Sequence, residues 1–343
     1  MNVAYFSKYS DSGPSSRFRI YQFREALQRA GISVSIQPFF DERYFQLLRR
    51  PPGLDRTLQK FSYVWSCFTE RQRTLFGISS DLIVIEHQLF PYLPFMLETA
   101  LLPAKYVLEF DDAIYLTHPR KIPHLIRNAY GVITGNKYLE QYARHFNDRV
   151  FTIPTVLDTD IFRPRQEKKL SVKIRVGWSG LEYNFKYLRM LEPVLNRISE
   201  HYPVEVLILS GSPPKNLNFP FRFLQWSKED EVNQLQQFDI GIMPLESDEW
   251  CRGKCGFKLL QYLSLEIPSI ATAIGVNVDI VKDGFNSFTA TNSQEWEEKL
   301  SILIQDSQLR RRMGEAGRQT VLEHYSLKSW APRLAELYRS LAD

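Results

Sequence analysis

Glycines, lysines and acidic residues are concentrated in one stretch of the C-terminal half of the chain. There the apolar run 239–245 leads through an acidic segment to Arg-Gly-Lys-Cys-Gly-Phe-Lys at 252–258, which an apolar, helix-like segment follows. Backbone amides at a helix N-terminus attract phosphate, and glycines let the backbone approach it. We therefore predict that Gly256, Lys254 and Lys258 bind a diphosphate, although the loop by itself also fits an ordinary turn.

Residues that could handle protons occur in the N-terminal half, where His87 and Asp111 each follow an apolar run. The carboxyl ends of parallel strands meet at one edge of a sheet, so these side chains are expected to share that edge. Activation of an acceptor hydroxyl needs a base within hydrogen-bond reach. We predict Asp111 as the main catalytic residue and His87 as the second. Asp111 and Asp112 also fit a divalent metal clamp, but the sequence shows two sheets rather than one, and we predict no metal site.

The loop after the first apolar run is a further candidate site. Gly13 would let the backbone approach a ligand, whose anionic groups Arg17 and Arg19 would meet. Two arginines at a helix start oppose the helix dipole, which favours a role in binding. Simple decoration of the helix start is the alternative.

Regular elements must position these residues. In the N-terminal half, short apolar runs alternate with helix-like segments, of which 19–29, ended by Gly31, is one. Strands interleaved with helices predict an α/β fold with a parallel, doubly wound sheet. The predicted strands are 3–6, 33–38, 82–85, 106–110 and 131–134.

The pattern is interrupted by the charged run 163–169 and then restarts. The predicted strands of the second half are 173–178, 205–210, 221–224, 239–244, 269–274 and 287–290. We therefore predict two facing Rossmann-like domains at residues 1–157 and 158–325. The C-terminal helix, 326–343, is predicted to pack back on the first domain.

Composition excludes several classes of protein. With 343 residues and 44% hydrophobic content, the chain has enough apolar mass for two cores. The most apolar stretch, 89–108, is broken by prolines and charges, so it lacks the roughly 20 apolar residues of a membrane span. Three cysteines form neither a disulfide framework nor a zinc ligand set, and the first residues lack the pattern of a secretion signal. We expect a cytoplasmic protein.

The net charge of +4 is unevenly distributed, since residues 1–157 hold 19 basic against 14 acidic residues. This excess is too small for a nucleic-acid-binding protein, but it suits an anionic acceptor or an anionic membrane leaflet. Segment 41–76 interleaves basic with aromatic residues, which is typical of a helix at a membrane interface. Packing of the same rings on the core of the first domain is an equally simple explanation, and so is an ordinary solvated surface for the charge.

Several motifs carry a resemblance to a known family. The loop 252–258 continues into Leu-Ser-Leu-Glu-Ile-Pro-Ser-Ile-Ala-Thr (263–272) and Asp-Gly-Phe-Asn-Ser-Phe (283–288). Two more motifs flank this block, Ile-Pro-Thr-Val-Leu-Asp-Thr-Asp-Ile-Phe-Arg-Pro (153–164) and Arg-Met-Gly-Glu-Ala-Gly-Arg (312–318). In order and spacing they resemble family 4 glycosyltransferases, which have the GT-B fold, over nearly the whole chain.

The resemblance implies a retaining sugar transfer with the nucleotide donor on the C-terminal domain, the acceptor on the N-terminal domain and no obligatory metal. Lys258 matches the lysine at the start of the family's donor helix. Gln261 and Gly253 stand where the family usually has glutamates, so Glu249 and its acidic neighbours are candidates for contact with the donor sugar. Lys186 stands near the family's phosphate-binding Arg and Lys, and no arginine accompanies it.

The expected protein is a metal-independent glycosyltransferase that moves a sugar from a UDP- or GDP-sugar to a glycan or a lipid-linked acceptor. We expect no cofactor, no nucleic-acid partner, and a cytoplasmic location with peripheral contact at the inner face of an anionic membrane. Two alternatives stay open. One is a nucleotide-sugar epimerase of the same fold, and the other is a non-catalytic partner subunit, which the absence of carboxylates at Gly253 and Gln261 would favour.

Overall fold

The computed structural model describes residues 1–165 and 172–342. The chain divides into two compact units: unit 1 contains Met1–Thr155 and Trp330–Asp343, and unit 2 contains Val156–Ser329. The charged run predicted to separate two domains begins within unit 2, and its residues 166–169 lie outside the described residues.

Unit 1 is built on a sheet of six parallel strands. The strands are nearly continuous apolar runs, as expected when helices cover both faces of a parallel sheet. Their bounds are Asn2–Tyr9 (β1), Ser33–Phe40 (β2), Leu82–Glu86 (β3), Val107–Phe110 (β4), Gly131–Thr134 (β5) and Val150–Thr152 (β6). They lie in the order β2-β1-β3-β4-β5-β6.

The helices of unit 1 connect these strands. They are Pro14–Arg19 (α1), Arg24–Arg29 (α2), Glu42–Arg49 (α3), Leu54–Gly77 (α4), Phe95–Thr99 (α5), Lys121–Asn128 (α6) and Lys137–Ala143 (α7). The predicted helix 19–29 is divided, because Ile20 leaves the helical conformation (φ −126°, ψ −62°) and a 3-10 turn follows it. Gly31 has a φ of +80°, as predicted for the residue that ends this segment.

Unit 2 repeats the same architecture with a second sheet of six parallel strands. The strands are Ile174–Ser179 (β7), Val204–Ser210 (β8), Arg222–Gln225 (β9), Ile240–Met243 (β10), Ser269–Thr272 (β11) and Phe288–Ala290 (β12), in the order β12-β11-β10-β7-β8-β9. The helices are Phe185–Met190 (α8), Glu192–His201 (α9), Glu231–Leu235 (α10), Glu249–Arg252 (α11), Phe257–Ser264 (α12), Asn277–Ile280 (α13), Ser293–Gln305 (α14) and Ser307–His324 (α15).

The strand order fixes where each unit can bind a ligand. In unit 1 the chain leaves β1 for β2 on one side and then returns to add β3 on the other. In unit 2 it fills β8 and β9 on one side of β7 and then adds β10 on the other. The loops that leave neighbouring strands at such a reversal diverge, and the crevice between them is where open α/β sheets bind ligands.

The C-terminal helix Leu327–Ala342 (α16) belongs to unit 1 from Trp330 onward. Its buried Tyr338 hydroxyl accepts a 2.7 Å hydrogen bond from the hydroxyl of Tyr5 on β1. Lys105 donates to the carbonyl oxygen of Ala342 at 3.0 Å. The predicted fold class is thus confirmed, with two doubly wound parallel sheets and a last helix packed on the first unit.

Within residues 1–165 and 172–342, every helix is too short or too polar to cross a bilayer.

Candidate functional site

The predicted anion loop of unit 2 lies at the reversal point of its sheet. After β10 the chain forms α11, which Asp248 caps by accepting a 2.7 Å hydrogen bond from the amide of Cys251. It then turns at Gly256, whose φ of +65° is left-handed, and enters α12. A Cβ atom at Gly256 would also lie 2.5 Å from the side chain of Ile280. Glycine is therefore required here for both conformation and space.

Lys258 follows as the second residue of α12. Its ammonium nitrogen is 5.8 Å from the centroid of the buried Trp178 ring. Its Cε would be 3.0 Å from a Cβ atom at Gly180, the residue immediately after β7. Lys258 thus brings a positive charge to the carboxyl end of β7, beside the positive end of the α12 dipole.

Lys254 supplies a second ammonium group in the same turn, 5.6 Å from the centroid of the Trp250 ring. Both lysines are half-buried. A helix start that has no carboxylate in its first turn and carries two nearby lysines is suited to an anion.

Lys186 and Glu249 are placed differently from these lysines. Lys186 forms a 2.6 Å ion pair with Glu246, and that hydrogen bond raises the pKa of Lys186. The nearest charge partner of Lys186 is therefore a carboxylate of its own unit. Glu249 begins α11 with an exposed side chain. Both remain predictions as donor ligands.

Gln261 is the predicted ribose ligand with the least open surface, since only 2% of it is exposed. Its amide nitrogen donates a 3.1 Å hydrogen bond to Glu231, which is itself buried and also accepts from the indole of Trp226. This bond fixes the amide orientation. Sequence reasoning did not single out Glu231. The sequence feature that could have pointed to Glu231 is its position as an acidic residue at the start of the partly apolar helix α10.

The predicted acceptor residues of unit 1 lie together at the carboxyl ends of β3 and β4, next to the reversal between β1 and β3. His87 follows β3 with a φ of +61°, and its Nε2 lies 3.0 Å from Oδ1 of Asp111, which follows β4. Ser15 in α1 donates to both carboxylate oxygens of Asp111 at 2.9 and 3.0 Å. The sequence placed His87 and Asp111 on one edge, and the structure brings them into contact.

The contact between His87 and Asp111 shifts the pKa of both groups. Burial would lower the pKa of His87, but the hydrogen bond with Asp111 and the charge of Glu86 raise it above the ordinary value. Burial would raise the pKa of Asp111, yet its hydrogen bonds with His87 and Ser15 and the charge of His87 lower it. The pair is therefore stabilised as a carboxylate next to a positively charged imidazole.

A second layer of buried charges lies among β3, β4 and α1. Glu86 accepts from the Ser16 hydroxyl at 2.6 Å and from the amide of Lys8 at 2.8 Å. Glu109 pairs with Arg19 at 2.7 Å. In the described residues, one oxygen of each of these glutamates and Nδ1 of His87 are buried without a hydrogen-bond partner. Such groups are costly unless water or a ligand satisfies them.

The prediction for Arg19 is wrong. Only 4% of Arg19 is exposed, and its guanidinium is used by Glu109 and by the carbonyl oxygen of Ile153 at 2.8 Å. The feature of the sequence that could have revealed this pair is Glu109 in the apolar strand β4, because a buried carboxylate is stabilised by a paired cation.

Gly13 and Arg17 have other contacts. A Cβ atom at Gly13 would lie 2.4 Å from Cβ of Tyr9, so glycine is needed for packing. The guanidinium of Arg17 lies 4.3 Å from the ring centroid of Phe18. Their roles toward a ligand stay predictions.

Glu109 gives unit 1 a specific pH dependence. Burial raises the pKa of Glu109 from 4.5 to about 7, although Arg19 opposes this shift. Between those values Glu109 holds a proton in the folded state that it has lost in the unfolded chain. The contribution of Glu109 to stability is therefore fully present below pH 4.5 and is lost as the pH rises toward 7. We expect the free energy of unfolding, measured with urea, to fall by about 3 kcal/mol over this window. Glu109→Gln should flatten that slope, and an equally steep slope in the variant would contradict the assignment.

In the part of the chain that the structure describes, no cluster of three or more His, Cys, Asp or Glu residues could hold a metal ion.

Comparison with known proteins supports the reading of unit 2. Residues 215–320 match the family model described as Glycosyl transferases group 1. A curated relative is the N-acetyl-alpha-D-glucosaminyl L-malate synthase of Bacillus anthracis, which is 21% identical over 230 residues. That alignment covers 62% of this chain and 57% of the relative, so the chain matches little more than half of the relative's length. The predicted resemblance to group 1 glycosyltransferases is confirmed, and the predicted class of enzyme agrees with it.

Solved structures with the same fold cover the whole chain. A sucrose-phosphate synthase from Thermosynechococcus elongatus has a TM-score of 0.72 at 14% identity, with 99% of both chains covered. The Anabaena protein HepE, solved in complex with UDP-glucose, also has a TM-score of 0.72, at 13% identity, with 99% of this chain and 100% of that chain covered. At these identities the likeness establishes the fold.

Proposed function

We propose that this chain, whose residues 215–320 match group 1 glycosyltransferases, transfers a sugar from a nucleoside diphosphate donor to a hydroxyl group. The donor is a UDP- or GDP-sugar, and the acceptor is a glycan or a lipid-linked saccharide. The observation that carries the proposal is the left-handed turn at Gly256, which starts α12 beside Lys258 at the reversal point of the second sheet. Retention of the anomeric configuration rests on the resemblance described above.

The donor half of the reaction is the stabilisation of a leaving diphosphate. When the bond between the sugar and the diphosphate breaks, negative charge grows on the departing oxygen. The N-terminus of α12 and the Lys258 ammonium, with Lys254 nearby, lower the energy of that charge. Lys258 lies close to Gly180, where a side chain would compete for the same space. No metal is needed for this step in the proposal.

Recognition of the ribose is assigned to Gln261. Its amide nitrogen is used by Glu231, which leaves its carbonyl oxygen as the acceptor for a ribose hydroxyl. A neutral amide forms a weaker hydrogen bond than a carboxylate does. Glu231 is therefore a positioning residue that keeps Gln261 in the useful orientation.

The acceptor half is assigned to unit 1. Asp111 and His87 form a buried pair at the carboxyl ends of β3 and β4, and Ser15 holds the carboxylate in place. An acceptor hydroxyl that hydrogen-bonds to Asp111 becomes a better nucleophile, because the carboxylate draws its proton away.

Calorimetry tests the donor half directly. The purified chain is titrated with UDP, GDP, ADP and CDP, and we expect saturable heat with one or two of them. Transfer of sugar from the corresponding donor, with the product anomer identified by NMR, is expected to proceed with retention. A product with inverted anomeric configuration would contradict the retaining mechanism. Isomerisation of the donor sugar in the absence of an acceptor would favour an epimerase.

A second candidate is a non-catalytic subunit that keeps the fold. Two observations favour it: Gly253 and Gln261 replace the carboxylates expected from the resemblance, and Gln261 is only 2% exposed. Such a subunit would give no saturable heat with any nucleoside diphosphate. The same titration therefore separates the two functions.

The proposed location is the cytoplasmic face of a membrane.

A further inference from the structure

The loop after β3, residues 87–93, lies outside the helices and strands but is largely buried. Residues 87–90 are each at most 6% exposed. A buried amide or carbonyl group without a hydrogen-bond partner is costly, so the backbone of such a loop needs partners other than a helix or a sheet. Three charged side chains from neighbouring helices act as those partners. They are Arg71 of α4, Glu98 of α5 and Lys121 of α6.

Glu98 and Arg71 bind the middle of the loop. One carboxylate oxygen of Glu98 accepts hydrogen bonds from the amides of Leu89 at 2.7 Å and of Phe90 at 3.3 Å. The Arg71 guanidinium donates to the carbonyl oxygen of Leu89 at 2.8 Å. Both charged side chains are fully buried, so water does not compete for these hydrogen bonds. The backbone at Leu89 is therefore fixed from two sides.

Lys121 binds the far end of the same loop. Its ammonium group donates to the carbonyl oxygens of Phe90 at 2.9 Å and of Leu93 at 3.1 Å, and it forms an ion pair with Glu98. Lys121 is the first residue of α6, where a positive charge opposes the helix dipole. Its position is therefore unfavourable for the helix but favourable for the loop.

Stability of the core alone does not explain this buried pair. Burial raises the pKa of the Glu98 carboxyl and lowers the pKa of the Lys121 ammonium group, so both charges are held at a cost. Replacement of a buried ion pair by uncharged residues of similar volume is often neutral or stabilising. What the charges add is strong hydrogen bonds to the loop, because bonds to charged groups are roughly twice as strong as bonds between neutral groups.

The anchored loop carries backbone strain near both of its ends. His87 has a φ of +61° and Tyr92 a φ of +72°, and these are two of the four non-glycine residues with positive φ in residues 1–165 and 172–342. Bulky side chains rarely adopt this conformation, which persists only where the surroundings fix it. The imidazole of the strained His87 is the group that lies 3.0 Å from Asp111.

We propose that Glu98 and Lys121 are positioning residues, which fix the backbone of the loop and thereby hold the His87 imidazole against the Asp111 carboxylate. Their effect on catalysis acts through the loop and rests on the proposed function, in which Asp111 activates the acceptor. A misplacement of about 1 Å by a change distant from the reacting atoms can cost on the order of a hundredfold in rate. Two buried charges devoted to one loop are a means of preventing it.

An NMR titration of His87 tests the positioning role in the full chain. His87→Gln identifies its imidazole signal among those of the six histidines. Glu98→Gln with Lys121→Met removes both charges at similar side-chain volume, so this double variant should fold with a Tm near that of the parent. The pKa of His87 should be lower in the double variant, because a looser contact with Asp111 raises it less. The other titratable groups near the imidazole are unchanged there, namely Lys8, Glu86 and His118.

Leu139→Ala is the matched control for a general loss of stability. Leu139 is a fully buried residue of α7, which packs on β5 and β6 of the same unit. Its truncation should lower the Tm and leave the pKa of His87 as in the parent. An unchanged pKa of His87 in the double variant would overturn the proposal. A decrease of the same size in Leu139→Ala would also overturn it, because any loosening of unit 1 would then suffice.

Turnover gives the second readout. At saturating donor, the kcat for sugar transfer should fall by about tenfold or more in the double variant. The heat of UDP or GDP binding should stay the same, since the donor site belongs to unit 2. An unchanged kcat together with a lowered pKa of His87 would contradict the role in catalysis. A parent chain that transfers no sugar would contradict the proposed function instead, while the titration would still decide whether the pair positions His87.

Discussion

Lys258→Ala is expected to slow sugar transfer by more than about tenfold, and by up to about a thousandfold. The ammonium group lies at the start of α12 and close to Gly180, where the leaving diphosphate gains its charge in our account. A charge that matters more as the bond breaks acts on kcat as well as on KM. Steady-state kinetics at saturating donor measures this effect.

Two controls make the Lys258 experiment specific. Lys258→Arg keeps the positive charge and should recover part of the rate. Lys215→Ala removes an exposed lysine of the same unit and should leave the rate unchanged. If Lys258→Ala turns over like the parent, Lys258 has no role at the diphosphate.

Asp111→Asn is expected to lower turnover by about a hundredfold or more, because an amide does not accept the proton of an acceptor hydroxyl. The change keeps the shape of the side chain and its hydrogen bond from Ser15. It also removes the charge that raises the pKa of His87, so the imidazole should lose its proton at lower pH. Turnover at saturating donor, measured across pH, reports both effects.

Asp111 and the donor site lie in different units, which provides an internal control. The heat of nucleoside diphosphate binding should be the same in Asp111→Asn and in the parent. Asp112→Asn, the neighbouring change, should have the smaller effect on turnover. Loss of nucleotide binding in Asp111→Asn would mean that the variant is misfolded or that the assignment to the acceptor is wrong.

The contribution of Asp111 to the stability of unit 1 changes with pH in the opposite direction from the contribution of Glu109. Its folded pKa is lowered, so the favourable pairing with His87 is present above the ordinary aspartate pKa and is lost as pH falls below it. Glu109 loses stability as pH rises. The summed contribution of these two carboxyl groups to the stability of unit 1 is therefore largest between the two pH windows.

Local rules in the sequence determined most of the fold. Alternating apolar runs and helix-like segments identified both sheets, and Gly31 and Gly256 marked turns that the structure forms with positive φ. The sequence did not reveal the break at Ile20, because the spacing of apolar residues does not report the departure of a single residue from the helical conformation.

The site was predictable where the ends of neighbouring strands bring residues together, and it was not predictable where the contact depends on how side chains pack. The contact of His87 with Asp111 follows from the ends of adjacent strands. The pairing of Arg19 with Glu109 and of Gln261 with Glu231 joins residues 90 and 30 positions apart. A single sequence gives no signal for these pairs beyond a charged residue in an apolar element, so Arg19 was assigned to a ligand instead of to Glu109.

The 41–76 segment shows why the sequence left two explanations open. Its aromatic residues are divided between the faces of α4: Tyr63 is buried in unit 1, and Phe61 and Trp65 are exposed. Core packing and an outward surface are therefore both present. Only the rotation of the helix about its axis decides which rings are buried in unit 1 and which are exposed.

A crystal structure of the chain with its preferred nucleoside diphosphate tests the central claim most directly. We expect the diphosphate within hydrogen-bond distance of the first amides of α12 and of the Lys258 ammonium, beside Gly180. A diphosphate bound elsewhere in unit 2, or an α12 N-terminus that protein atoms still cover in the complex, would contradict the account.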